Sequence, residues 1–263
     1  MKKYVVLGLL SVFLMSCSTV AFTGRKQLLL VSDAQILEAS FTQYSEYIST
    51  AKLSSNKVAT QQVKQVGVKI AAAVEKYLKE NGREADIANF SWEFSLVEDP
   101  NVNAFCMPGG KVVFYEGILP FCKDENGLAV VMGHEIAHAV AKHGNERMSQ
   151  EMVTQAGLGL AGVALSSTSE VTQQLMGTVF GLGMQYGVTL PYSRKHEYEA
   201  DNLGMVFMAM SGYDPRGAVV FWERMSAGKD GSAPEFISTH PSDAKRIQAM
   251  QNNMPAAQEY YKK

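Results

Sequence analysis

The sequence predicts an α+β fold that is mostly helical and contains one small antiparallel sheet. Three observations predict it. Apolar residues recur at steps of three and four over 58–78, as on the buried face of an amphipathic helix. Apolar and polar residues alternate over 90–96, which is the periodicity of a strand. From residue 125 onward helical patterns follow one another, so the predicted strands are confined to one short stretch.

Local signals place the individual elements. Ser32 is expected to cap the first helix, and Pro108-Gly109-Gly110 is expected to turn a hairpin. Asp214-Pro215 is expected to open a helix, since aspartate caps a helix and proline suits its first position. The predicted elements are helices over 33–53, 58–78, 125–142, 193–211, 215 onward and 242–250, and strands over 90–96, 102–106 and 111–115.

The first residues have the features of an export signal. Two lysines precede an apolar run over 4–14, which is shorter than the roughly 18 residues of a clean membrane span. Leu14-Met15-Ser16-Cys17 resembles the lipobox of bacterial lipoproteins, and this resemblance implies cleavage before Cys17 and lipid on that residue. The alternative is an ordinary secretory signal in which the cysteine is incidental.

The lipobox divides the chain into a signal peptide (1–16), a lipidated tether (17–31) and one domain (32–263). Several acyl chains at Cys17 would hold the protein stably at a membrane. Ser18 replaces the aspartate that commonly retains such lipoproteins in the inner membrane. By resemblance, the predicted location is the periplasmic face of the outer membrane.

The strongest chemical signal is the HExxH motif His134-Glu135-Ile136-Ala137-His138 within a predicted helix. His134 and His138 are one turn apart, so both imidazoles leave the same face and can bind one Zn²⁺. Glu135 lies on the adjacent face, from which a carboxylate can reach a water molecule without binding the metal.

A catalytic zinc needs a third protein ligand. Glu197 and Asp201 are four residues apart on a predicted helix and share a face, so one could bind zinc while the other steadies a ligand imidazole. Glu199 is expected to point elsewhere. His196 is predicted to lie on the surface, and His143 to lie at a helix end or beside a ligand.

The motifs together resemble the HtpX family of gluzincin metallopeptidases. Besides HExxH, the matching segments are Glu197-Tyr198-Glu199-Ala200-Asp201, Thr23-Gly24-Arg25-Lys26-Gln27, Asn103-Ala104-Phe105 with Pro108-Gly109-Gly110, and His240-Pro241 with Arg246. The resemblance implies a zincin-like metalloprotease domain with HExxH on its central helix. It also implies a substrate-binding edge strand over Asn103, Ala104 and Phe105.

The same resemblance implies one zinc ion per chain. It implies that His134, His138 and Glu197 hold the zinc and that Glu135 is the base. Asp201 and Arg246 are expected to support a ligand, the substrate or a nearby loop.

The role of His240 is left open among three possibilities. It could donate to the oxyanion as a catalytic residue, or it could take the fourth zinc position and hold the enzyme latent. It could instead cap the terminal helix. The expectation is that His240 lies within reach of zinc in the resting protein.

These inferences predict a zinc endopeptidase that acts on misfolded or misassembled envelope proteins. The alternative is a chaperone-like periplasmic binding protein with a mostly inactive peptidase site. The predicted partners are extended or unfolded polypeptides, a membrane through the lipid anchor, and a machinery of envelope assembly. The 24 Lys+Arg residues nearly balance the 26 Asp+Glu residues, so charge gives no reason to expect nucleic acid.

Two regions keep alternative interpretations. Cys106 and Cys122 could form a disulfide in an exported protein or remain free thiols. The glycine-rich stretch 153–190 could form packed helices over the cleft, as a lid, or a surface that contacts the membrane.

Overall fold

The computed structural model describes residues 17–20, 23–157, 193–227, 235–240 and 244–261. The helices are α1 (Asp33–Thr50), α2 (Lys57–Glu80), α3 (Glu84–Ile87), α4 (Leu119–Cys122), α5 (Glu125–Val140), α6 (His143–Gly157), α7 (Arg194–Met210), α8 (Gly217–Ser226), α9 (Glu235–Thr239) and α10 (Ala244–Tyr261). The strands are β1 (Cys17–Thr19), β2 (Lys26–Leu28), β3 (Glu93–Val97), β4 (Ala104–Met107) and β5 (Lys111–Tyr115). Residues 158–192, which include most of the glycine-rich stretch 153–190, lie outside the described residues.

Helix α5 is the centre of the fold. Asp124 caps it by accepting a hydrogen bond from the Gly127 N–H at 2.8 Å. Nearly all of its residues are buried, which explains why its sequence is apolar on every side. Helices α2, α7 and α8 and the sheet surround it, and the core between them contains Trp222, Phe207 and Phe114. The predicted mostly helical α+β class is confirmed.

A pair of glycines lets α5 and α7 approach closely. A Cβ atom added to Gly133 would lie 2.9 Å from the carbonyl oxygen of Gly204, and one added to Gly204 would lie 3.0 Å from the backbone nitrogen of His134. Larger side chains would push the two backbones apart. Since both helices carry predicted ligands, the glycine pair sets the distance between those ligands.

The main sheet has three strands in the order β3-β5-β4. The predicted hairpin is confirmed, since β4 and β5 pair antiparallel and Gly109 and Gly110 adopt the positive φ angles of 85° and 81° that favour glycine. Strand β3 pairs with β5 in parallel, with Glu93 opposite Lys111, so the sheet is mixed. Strand β4 is left at the edge of this sheet.

Three segments of the described chain differ in detail from the predicted elements. The segment predicted as a tether contains two antiparallel strands, β1 and β2. Helix α8 begins at Gly217, two residues later than Asp214-Pro215 predicts, and it has no side-chain cap. Helix α10 extends to Tyr261 and contains Pro255, so the predicted end at 250 is wrong. No helix within the described ranges is both long and apolar enough to cross a bilayer.

Candidate active site

Four buried side chains from three parts of the chain converge beside α5. His134 and His138 come from α5, Glu197 comes from the first turn of α7, and His240 follows α9. One ligand atom of each lies within 4.8 Å of the ligand atoms of the other three. The structure thus brings the three predicted zinc ligands together and places His240 with them.

The spacing of the three predicted ligands fits zinc. Zinc binds imidazole nitrogen and carboxylate oxygen at about 2.0–2.2 Å, so two ligand atoms of a tetrahedron lie about 3.4 Å apart. The Nε2 atoms of His134 and His138 are 3.1 Å apart. The carboxylate oxygens of Glu197 lie 3.5 Å from the first nitrogen and 3.4 Å from the second. Nitrogen and oxygen donors at these separations match a single tetrahedral ion.

His240 supplies a fourth donor at the same spacing. Its Nδ1 atom lies 3.1 Å from Nε2 of His134 and 3.2 Å from Oε1 of Glu197. The short helix α9 positions it, since the backbone N–H of Phe236 donates to the carbonyl of Val102 at 3.0 Å. With His240 in place, protein atoms can fill all four corners of the tetrahedron.

Asp201 and Arg246 lie behind the ligands. Oδ1 of Asp201 is 3.0 Å from Nδ1 of His134, which fixes that imidazole through the nitrogen that faces away from the cluster. The Arg246 guanidinium contacts Asp201 at 2.5 Å and Glu197 at 2.6 Å. Burial raises the pKa of both carboxyls, but Arg246 and the neighbouring imidazoles together outweigh burial and hold each pKa below its usual range.

Glu135 lies beside the cluster and outside it. Burial raises its pKa to about 7, although the His240 imidazole opposes that shift. Its Oε1 atom is 3.3 Å from Nε2 of His240, and the residue lines a cavity that runs along β4. A carboxylate with such a pKa can both accept and release a proton near neutral pH.

The predicted edge-strand residues line the same cavity. Asn103, Ala104 and Phe105 face it together with Glu135 and His138. The Asn103 side chain accepts a hydrogen bond from the Ala104 N–H at 2.8 Å. The cleft therefore contains a strand edge beside the ligand cluster.

The two cysteines that follow residue 100 are both free thiols. Cys106 lies in the wall of the cavity, and burial raises its pKa well above the usual range. Cys122 is buried at the end of α4, away from that wall.

Sequence reasoning missed a second polar cluster beneath His138. His196 is buried, with Nε2 3.0 Å from Glu146, so its predicted surface position is wrong. His143 is fully buried, and burial lowers its pKa to about 4. Glu199 points away from the zinc ligands, as expected, and binds Arg25. Arg25 lies more than 100 residues from Glu146 and Glu199, so no local pattern could have joined them.

The chain resembles known metallopeptidases over most of its length. Residues 68–254 match the profile of peptidase family M48. Mitochondrial metalloendopeptidase OMA1 of Schizosaccharomyces pombe is 40% identical over 187 residues, which cover 70% of this chain and 53% of that protein. Human mitochondrial metalloendopeptidase OMA1 is 29% identical over 247 residues, which cover 89% of this chain and 45% of that protein.

A bacterial relative is more distant. The β-barrel assembly-enhancing protease of Escherichia coli K12 is 26% identical over 210 residues, which cover 77% of this chain and 40% of that protein. The chain spans about half the length, or less, of the curated relatives it matches. The M48 profile covers well over half of the chain, including both histidines of HExxH and Glu197. The chain therefore belongs to peptidase family M48, a family of zinc metallopeptidases.

Proposed function

We propose that this chain is a zinc metalloendopeptidase that cleaves polypeptides bound in extended form. The observation that carries the proposal is the convergence of His134, His138 and Glu197 at zinc-ligand spacing, with Glu135 beside them in the cleft. Membership in family M48 supports it independently.

Glu135 performs the proton transfers in this proposal. A bound zinc ion supplies Lewis acidity, which lowers the pKa of water to about 7 and polarises the scissile carbonyl. Glu135 accepts the proton of the attacking water and later gives it to the leaving amine. Burial raises the pKa of Glu135 to about 7, so it is a stronger base than an exposed glutamate. Asp201 and Arg246 hold His134 and Glu197 in place during the reaction.

Strand β4 offers the substrate a partner for backbone pairing. The Tyr115 N–H donates to the Asn103 carbonyl, and antiparallel pairing alternates, so Phe105 and Met107 also bond towards β5. Ala104 and Cys106 therefore direct their backbone groups away from β5, to an edge that no other described strand covers. At this edge the Ala104 N–H donates to the Asn103 side chain, a bond that a substrate would have to replace. Pairing through this edge gives affinity without demanding a side-chain sequence, which suits extended chains of varied sequence.

The substrate proposal is tested by comparing two forms of one protein. Native α-lactalbumin and its reduced, alkylated form have the same sequence. We expect internal cleavage of the unfolded form, seen by mass spectrometry as fragments with new ends on both sides, and little cleavage of the native form. Equal cleavage of both forms, or removal of terminal residues only, would exclude an endopeptidase for extended chains.

His240 is proposed to keep the enzyme latent. Its imidazole is the fourth donor of the ligand cluster, so with zinc bound it would compete with water for the metal. The contact between Phe236 and Val102 also places α9 against the start of the cleft. This arrangement likewise supports the alternative of a binding protein whose peptidase is mostly inactive. A substrate or partner that moves His240 away from the ligand cluster would expose the site.

We expect His240→Ala to raise the basal rate of cleavage while one zinc ion per chain is retained. The reason is that the variant opens the fourth position and keeps three ligands. The measurement is the initial rate of cleavage of a quenched peptide, with zinc content measured in parallel. Lys245→Ala, at an exposed residue of α10, serves as control. A lower rate with full zinc would instead assign His240 to oxyanion stabilisation.

The protein is proposed to act in the cell envelope as a lipoprotein. The support is the lipobox ending at Cys17 and the name of the Escherichia coli relative, which refers to β-barrel assembly. Other relatives are named as mitochondrial, so the leader rather than the comparisons favours the envelope. Misfolded or misassembled envelope proteins are the proposed substrates, and an assembly machinery is the proposed partner.

Cys17→Ser is expected to release a soluble exported form, because the acyl chains have lost their attachment site. Fractionation of cells into membrane and soluble parts measures this, and Ser18→Ala is the matched control. A Cys17→Ser variant that stays wholly with the membrane would contradict lipid anchoring.

A further inference from the structure

A buried charged cluster connects the N-terminal segment to the underside of the zinc site. Its members are contributed by the loop before β2, by the first turn of α6 and by the first two turns of α7. They are Arg25, His143, Glu146, His196 and Glu199. The side chains of Arg25, Glu146 and Glu199 are only 14%, 6% and 7% exposed. The zinc chemistry described above uses none of these residues.

The cluster reaches a zinc ligand through His143. Its Nδ1 atom lies 2.9 Å from Nδ1 of His138, and its Nε2 atom lies 3.3 Å from Oε2 of Glu199. A carboxylate can only accept, so His143 donates from Nε2 and its Nδ1 is left as an acceptor. His138 must then donate from Nδ1. The lone pair of His138 is thereby fixed on Nε2, the nitrogen that faces Glu197 and His134.

Arg25 holds the far end of this chain of hydrogen bonds. Its guanidinium binds both oxygens of Glu146 at 2.7 and 2.6 Å, and its Nε donates to Glu199 at 2.8 Å. The Thr23 hydroxyl donates to the other oxygen of Glu199 at 2.5 Å. Without the guanidinium, the poorly hydrated carboxylates of Glu146 and Glu199 would have no cation between them. Arg25 therefore holds the Glu199 carboxylate in position to accept from His143.

We propose that Arg25, Glu199 and His143 are positioning residues that hold His138 in the tautomer and orientation required for zinc. The N-terminal segment 23–28 then belongs to the metal site, although it lies outside HExxH and the helix that carries Glu197. This inference rests on the proposed zinc site. It adds that the docking of the segment sets the affinity for zinc.

The direct test compares two substitutions of His143 that differ in hydrogen bonding. In His143→Gln, the amide N–H can donate to Glu199 and the amide oxygen can accept from His138. His143→Leu has a similar size and can do neither. Zinc affinity is measured on metal-free protein by competition with a chromophoric chelator, and thermal melting is recorded in parallel.

We expect His143→Leu to weaken zinc binding about 10–100-fold, the usual effect of losing the partner of a ligand histidine. His143→Gln should stay close to the unsubstituted protein. Nitrogen-15 spectra of the metal-free proteins should show the His138 ring protonated at Nδ1 in the unsubstituted and Gln forms and as a tautomer mixture in the Leu form. Equal affinity and equal tautomer populations in both variants would overturn the inference.

A second pair tests the N-terminal end without altering His143. Arg25→Ala should weaken zinc binding by the same order, whereas Lys26→Ala, at the exposed next residue, should leave it unchanged. Equal affinities in this pair would also overturn the inference. An unsubstituted protein that fails to bind one zinc ion would instead refute the proposed zinc site, so the two failures are distinguishable.

Discussion

Glu135→Gln is expected to lower proteolysis about 10²-fold or more while zinc and fold are retained. The amide cannot accept the proton of the attacking water, and general bases contribute about 10²–10⁴-fold. Zinc should stay because Glu135 lies beside the ligand cluster and is not one of its members. Initial cleavage rates and zinc content, measured on the same preparation, check both parts of this expectation.

Glu125→Gln is the matched control for this variant. Glu125 begins the same helix, and its side chain is 44% exposed and far from the ligands along the helix. It should leave both rate and zinc unchanged. If Glu135→Gln lacked zinc, Glu135 would belong to the ligand set, and its assignment as the base would fail.

Glu197→Ala is expected to remove zinc and activity together. The neutral imidazoles of His134, His138 and His240 would remain, but the site would lose its anionic ligand. The Arg246 guanidinium, which now pairs with Glu197, would then face the cation and repel it. Zinc content after dialysis, and cleavage with zinc added back, measure the two losses.

Two further variants are compared with Glu197→Ala. Glu223→Ala removes an exposed carboxylate from α8 and should change neither quantity. Asp201→Asn should be milder than Glu197→Ala, with a loss of about 10–100-fold, because Asp201 supports His134 without binding metal. The opposite order of severity would require the two carboxylates to exchange roles.

Local spacing indicated which residues could form the zinc site, and the family resemblance implied Glu197 rather than Asp201 as the third ligand. The separation of four residues between His134 and His138, and between Glu197 and Asp201, places each pair on one helix face whatever the tertiary fold. The edge strand also had a local signal, the two glycines of its hairpin. The approach of α5 and α7 through Gly133 and Gly204 was not predicted, because a glycine within a helix does not reveal which backbone it meets.

Some features that depend on distant partners were not predicted correctly. His196 was predicted to lie on the surface because no residue near it in sequence indicated a buried partner. Its partner, Glu146, is 50 residues earlier. Strand β3 pairs in parallel with one side of β5, and β4 pairs with the other side. The alternation of apolar and polar residues within a strand does not indicate which strands will be neighbours. Helix α10 continues past Pro255 because its buried residues, including Met250 and Ala257, pack into the core.

The central claim is that one zinc ion, held by His134, His138 and Glu197, makes this chain a peptidase. The most direct test titrates zinc into metal-free protein while the cleavage of an unfolded substrate is followed. We predict no cleavage without metal, a linear rise in rate, and a plateau at one zinc ion per chain. Cleavage that persists in the metal-free protein, or a plateau at a different stoichiometry, would contradict the account.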